Sequence, residues 1–223
     1  MEAIVIGATG LVGSHLVQLL IKDERFTKVK VFVRRPLKEL HIKIEEHIID
    51  FDNVESWQSL VTGDVLFSCM GTTLAQAGSK ESQYRVDYTY QHEFAKIASQ
   101  NGVKKYVLIS SAGANPKSGI FYSKIKGELD RDVQALPFET IAIIRPGVLD
   151  GNRSESRVGE SISIEVLNVV GKLPFLKHWH PIHGRQVAQA MINAAFRKGE
   201  QVKIYTLGEV FELSGLKLKN KII

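Results

Sequence analysis

Tyr122 and Lys126 stand four residues apart, with Ser110 and Ser111 a short way upstream at the end of an apolar run. Residues at that spacing share one helix face, so a phenol and an ammonium can meet the same ligand. A cation beside the phenol stabilises tyrosinate and is expected to lower a pKa that is ordinarily about 10. Tyr122 then becomes usable as a proton donor or acceptor. A serine hydroxyl can orient a reacting carbonyl oxygen by hydrogen bonding. Ser111 is the preferred candidate, although Ser110 is adjacent and strand alternation directs only one of the two at a ligand. By itself the Tyr-to-Lys spacing is weak, since it also arises where the ring packs and the lysine is solvated.

A second candidate lies at the N-terminus, where Gly7-Ala8-Thr9-Gly10-Leu11-Val12-Gly13 follows the run Ala3–Ile6 and leads into His15-Leu16-Val17-Gln18-Leu19-Leu20. Strand, glycine turn and helix in that order suit a dinucleotide. Gly7 permits the sharp turn, Gly10 lets the backbone approach a pyrophosphate, and Gly13 lets the helix pack on the strand with its N-terminus facing the anion. The next apolar run ends in Arg34-Arg35, where an NAD-selective protein ordinarily carries an acid for the ribose hydroxyls. Two guanidinium groups suit the additional phosphate of NADP through charge-assisted bonds, so NADP(H) is expected ahead of NAD(H). A solvated basic strand end is the alternative.

The elements that must position these groups follow a βαβ rhythm. Runs at Ala3–Ile6, Val29–Val33, Glu46–Ile49, Val65–Cys69, Tyr106–Ile109 and Thr140–Ile144 alternate with amphipathic stretches. Apolar residues on both faces of such runs are what buried parallel strands require. The expected fold is α/β, a Rossmann-type doubly wound parallel sheet in a single domain. One helix is expected from about Lys80 to Asn101, and others near Ile162–Val170 and Val187–Arg197. Within one domain spanning 1–223, residues 1–147 form the cofactor-binding core, and 148–223 mix a small substrate cap with completion of the sheet.

The chain has 223 residues, 44% of them hydrophobic, which suits one sizeable core. A net charge of +5 is spread over short groups, so nucleic acid is a weak partner candidate and a polyanionic small ligand accounts for the excess equally well. The single Cys69 excludes an intramolecular disulfide and suggests a reducing, cytoplasmic setting. No run of about 18 apolar residues occurs, so neither a membrane span nor a signal peptide is expected.

The glycine turn, the strand ending in serines and the Tyr–Lys pair stand in the order of short-chain dehydrogenases/reductases, which the combination resembles. More closely, the chain resembles atypical, epimerase-like members of the Tat-interacting-protein oxidoreductase group. That resemblance rests on GATGLVG, FVRRP, IIDFDN, SCMGTTLAQAG, RVDYTY, LISSAGAN, YSKIKGELD and RPGVLDGNRSESRVGE. It implies NADPH held by the glycine turn, Arg34 and Arg35, with Asp50 near the adenine and Gly71-Thr72 lining the end of the fourth strand. Leu149 and Arg157 would complete the nicotinamide and phosphate side, and Tyr122 and Lys126 would also touch the cofactor. Asp50 could equally serve as a turn residue. Many relatives in the wider superfamily carry a helix asparagine for proton relay, where this chain has RVDY with Asp87.

The expected activity is NADPH-dependent reduction of an unidentified small-molecule carbonyl, or oxidation of the hydroxyl, with Ser111, Tyr122 and Lys126 catalytic. Two alternatives stand beside it: an NADP(H)-binding regulator with little turnover, and a nucleotide-sugar epimerase or dehydratase. A protein partner or homo-oligomer remains open. His178, His180 and His183 are close in sequence, but their Pro-containing apolar setting points to packing or substrate contact, not metal. Cys69 is expected to pack as a small hydrophobe, and the basic tail Lys217–Lys221 to be solvated.

Overall fold

The computed structural model describes residues 1–39, 41–150 and 181–215. The expected helix near Ile162–Val170, Arg157, His178, His180 and the basic tail lie outside them.

Seven strands form one parallel sheet: β1 (Glu2–Ile6), β2 (Lys28–Val33), β3 (Ile44–Ile48), β4 (Val65–Ser68), β5 (Lys105–Ile109), β6 (Thr140–Arg145) and an edge strand, Val202–Thr206. Their order is β3-β2-β1-β4-β5-β6 and then the edge strand. The chain winds outward from β1 to β3, then crosses back to β4 on the other side of β1. Ligands of open α/β sheets bind at such a reversal, beyond the carboxyl ends of the strands.

Alternation along the strands divides the core in two. Ala3, Val5, Val29, Val31, Val65 and Phe67 face one layer, which contains helix α1 (Leu11–Lys22). Ile4, Ile6, Phe32, Leu66, Leu108 and Ile143 face the other. Adjacent residues point to opposite faces of a strand, so burying both faces explains uninterrupted apolar runs. In α1, Leu16 and Leu20 recur at helical spacing and are fully buried, a placement that stabilises by about 1.5–3 kcal/mol each.

A short helix α2 (Leu74–Ala77) precedes α3 (Lys80–Tyr84), a π-helical turn over Arg85–Thr89, and α4 (Tyr90–Gln100). The expected helix from Lys80 to Asn101 is therefore present but contains a π turn. Helix α5 (Phe121–Val133) carries Tyr122 and Lys126. Strands β7 (Leu149–Asp150) and β8 (Ile182–His183) form a separate parallel pair. They lead to α6 (Gly184–Ala195), the expected helix near Val187–Arg197. The edge strand is β9 (Val202–Thr206), followed by α7 (Gly208–Leu213). β9 is half-buried throughout, and sequence analysis did not single it out because it lacks a continuous apolar run. No helix among the described residues is long and apolar enough to cross a membrane.

Candidate cofactor and catalytic site

The three glycines of the N-terminal turn have separable roles. Gly7 has φ +77°, and a side chain there would also collide with the backbone of Cys69 and Met70 at the end of β4. A Cβ on Gly13 would fall on the Gly7 carbonyl. Gly10 is different: an added Cβ would meet only the Gly7 oxygen at 3.3 Å and the Cys69 oxygen at 3.8 Å. Packing demands the first and third glycines, whereas the second is exposed and leaves the backbone open to a ligand.

Gly10 is the N-cap of α1 and supplies no side-chain acceptor, and the first turn contains no acid. First-turn N–H groups without a cap, at the positive end of a helix dipole, form an anion site. Arg34 and Arg35 are exposed just past the end of β2, and no described residue pairs with either. They stand along the sheet edge that carries the glycine turn. This donor set fits the phosphates of a dinucleotide.

Asp50 lies beyond the end of β3. Its Oδ1 accepts the Asp52 N–H at 3.0 Å and its carbonyl accepts the Trp57 indole N–H at 2.9 Å, so the turn function anticipated for it is present. Leu149 packs against the apolar layer formed with α1 and α6. His183 caps α6, its Nδ1 accepting the Arg185 N–H at 3.2 Å.

Ser111, Tyr122 and Lys126 come together beyond the carboxyl end of β5. The loop carrying Ser111 is tied to α5 by the Asn115 N–H, which donates to the Ser123 carbonyl at 2.9 Å. Gly127 makes this approach possible, since a Cβ there would fall on the backbone of Asn115 and Pro116. Ser111 lies near enough to the Tyr122 phenol to favour its ionised form. Ser110 is buried, and its hydroxyl has no hydrogen-bond partner among the described residues. Of the two serines, Ser111 is therefore the one that acts on the tyrosine.

Lys126 is buried, and its Nζ lies 3.2 Å from Oδ1 of Asp87, whose side chain is wholly inaccessible. The other Asp87 oxygen, Oδ2, accepts the Thr72 N–H at 3.1 Å. Asp87 therefore ties the Gly71-Thr72 loop to the lysine. Burial pushes the Asp87 carboxyl above its ordinary range, against the opposing pull of Lys126. Burial works to lower Lys126, but Asp87 and Tyr122 more than offset it and keep the ammonium charged.

Tyr122 departs from the sequence-based expectation. Its pKa is raised, because burial outweighs the Lys126 charge and Asp87 acts in the same direction as burial, while Ser111 pulls it down. The cation is present, but a carboxylate faces it.

Sequence reasoning assigned no role to Asp130, which follows Lys126 by four residues on the face of α5 that also carries Tyr122. Its Oδ2 accepts from Arg145 Nε at 2.8 Å, and both its neighbourhood and its side chain are buried. The Tyr–Lys–Asp repeat at a spacing of four was the available signal.

Fold and site together define a dinucleotide-binding protein of the Rossmann type. The chain belongs to the NAD(P)H-binding family, whose model matches residues 7–198. It is 37% identical to Protein FMP52-1, mitochondrial, of Scheffersomyces stipitis, over 96% of this chain and 98% of that one. It is 34% identical to Protein FMP52, mitochondrial, of Saccharomyces cerevisiae, over 92% and 91% of the two chains. Among solved structures, MoeE5 in complex with UDP-glucuronic acid and NAD matches with a TM-score of 0.72 at 18% identity, over 93% of this chain and 76% of that one. The UDP-glucose 4-epimerase of Thermotoga maritima matches with a TM-score of 0.70 at 14% identity, over 96% and 81%. These two share the fold.

The cytoplasmic setting expected from composition is overturned by the sequence relatives, which are named as mitochondrial. A lone cysteine argues against an oxidising compartment but does not distinguish among reducing ones.

Proposed function

We propose that the protein is an NADPH-dependent oxidoreductase of the short-chain dehydrogenase/reductase type, acting on a small-molecule carbonyl or the corresponding hydroxyl. The convergence of Ser111, Tyr122 and Lys126 beside the glycine turn carries this reading. The resemblance to the Tat-interacting-protein oxidoreductase group supports it, and the names of the sequence relatives support a mitochondrial location.

Bound NADPH supplies a hydride. The glycine turn and the first turn of α1 hold its pyrophosphate, and Arg34 and Arg35 hold the additional ribose phosphate that separates NADPH from NADH. Ser111 donates a hydrogen bond to the substrate oxygen, and Tyr122 gives it a proton. Lys126 would contact the ribose of the bound cofactor, and it sets the electrostatic environment of the phenol.

Isothermal titration with NADPH and NADH, on the protein and on Arg35→Ala, tests the cofactor assignment. NADPH should bind more tightly, and the substitution should weaken NADPH by about tenfold or more, the value of a charge-assisted bond, with little change for NADH. Failure to bind either nucleotide sinks the proposal. Binding followed by no consumption of NADPH across a carbonyl panel would make nucleotide sensing the function.

A further inference from the structure

We propose that Asp87 is a positioning residue whose ion pair with Lys126 takes up the ammonium charge, so that Tyr122 serves the reaction as a proton donor. This deepens the oxidoreductase reading and rests on it.

Asp87 is held in place from three directions. It lies in the π turn between α3 and α4, and π turns leave backbone acceptors without their usual helical donors. Gln91 meets them: its Nε2 donates to the carbonyls of Asp87 at 2.9 Å and Val86 at 3.3 Å. Its Oε1 in turn accepts the Ser68 hydroxyl at 2.7 Å on β4. The Asp87 carboxylate then bridges the Thr72 N–H and the Lys126 ammonium. The carboxylate has no exposed surface, so no bulk water touches the pair from its side.

A second carboxylate, Asp130, also acts on Lys126, but Arg145 on β6 engages it at 2.8 Å. Asp87 has no such second cation among the described residues. The described groups acting on Tyr122 are Lys126 and Asp130 from its own helix, Asp87 from the π turn and Ser111 from the loop after β5. Cys69, at the end of β4, feels the Lys126 charge, although its thiol meets Met191 Sδ at 3.8 Å.

An unpaired lysine would stabilise tyrosinate. A carboxylate in contact with that lysine cancels most of its field, and in a buried site the cancellation is strong because little water screens either charge. Tyr122 then keeps its proton at neutral pH. In the reduction, the carbonyl carbon gains a hydride from NADPH, which leaves as NADP⁺, while the carbonyl oxygen gains the phenolic proton. The product is an alcohol, and the resulting tyrosinate recovers a proton from water. Asp87 touches none of the reacting atoms and acts through Lys126.

Spectrophotometric tyrosine titration without nucleotide tests the pairing independently of any activity. Subtracting the Tyr122→Phe curve from that of the parent protein isolates Tyr122, and the same subtraction is made in an Asp87→Asn background, where the amide oxygen can still accept the Thr72 N–H. The ionisation constant of Tyr122 should rise at least tenfold in Asp87→Asn. An unchanged or smaller constant overturns the proposal. Should Asp87→Asn fail to fold, the parent curve decides alone: titration of Tyr122 below the ordinary tyrosine range contradicts it, and titration above that range supports it. Where a carbonyl substrate is found, the alkaline limb of kcat/KM for reduction should move down by a comparable factor in Asp87→Asn. A merely structural role would lower the plateau and leave the limb in place. Absence of turnover would count against the oxidoreductase reading while the titration still decides the pairing.

Discussion

Gly13 lies against the carbonyl oxygen of Gly7 so closely that a methyl group on Gly13 would fall on that oxygen. The start of α1 is thereby pinned to the end of β1. Gly13→Ala must push the helix off the strand, and Gly7→Ala adds the strain of a positive φ to a collision with Cys69 and Met70. Each should destabilise by about 1–3 kcal/mol or more, as overpacking does. Gly10→Ala, whose methyl would meet the Gly7 oxygen at 3.3 Å, should cost less stability than either while weakening NADPH binding. Urea midpoints and nucleotide titration on the three variants separate the effects, and equal destabilisation by all three would contradict the division of roles.

Gly127 governs Ser111 from a distance, because it lets the loop bearing the serine rest on α5. Gly127→Ala should lift that loop and reduce turnover with little effect on NADPH affinity. Ser111→Ala and Tyr122→Phe should each lower kcat by about a hundredfold or more, the usual size of a lost orienting or acid–base group. Ser110→Ala, which removes a buried hydroxyl without a hydrogen-bond partner among the described residues, should cost less. Steady-state kinetics with one substrate check the ranking, and a larger loss from Ser110→Ala would reverse the assignment.

His15 on α1 meets His183 at the start of α6, with ring centroids 5.4 Å apart. Burial lowers the His15 pKa below 6.5, and the charges of His183 and Arg185 add to the effect. Between that lowered value and 6.5 the unfolded chain binds a proton more readily than the folded one. The contribution is therefore intact above pH 6.5 and is lost as pH falls through the folded-state value. Urea midpoints should drop on going from pH 7 to pH 5, and His15→Gln should flatten that slope. An equal slope in the variant would remove His15 from the account.

Cys69 ends β4 beside the glycine turn, and burial pushes its thiol up to about 12, against the opposing Lys126 charge. The thiolate is the reactive form, so alkylation of the folded protein at neutral pH should be at least about a hundredfold slower than in denaturant. Mass-spectrometric timing of iodoacetamide uptake measures this. Rapid native labelling would show an activated cysteine.

Five inner strands were legible because buried parallel strands need continuous apolar runs, such as Ala3–Ile6 and Thr140–Ile144, whereas the edge strand β3 was read only in part, as Glu46–Ile49 against Ile44–Ile48. The other edge strand, β9, was not legible, since Val202–Thr206 is half-buried throughout and its apolar residues are interrupted by Lys203. The π turn at Arg85–Thr89 was equally hidden, for helical periodicity continues on both sides of it. Ser111 could be proposed but not separated from Ser110 until the loop was seen against α5.

The chain by itself determined the α/β order, the glycine turn, the basic end of β2 and the Tyr122–Lys126 spacing, because each is local and follows from residue type and periodicity. Tertiary structure alone decided which carboxylate answers Lys126. Asp130 is the nearer in sequence, yet Arg145 from β6 engages it, and Asp87 reaches the lysine from a π turn 39 residues earlier. Pairing between buried charges depends on how separate elements meet, and the low dielectric between them makes that pairing decide the electrostatics of Tyr122.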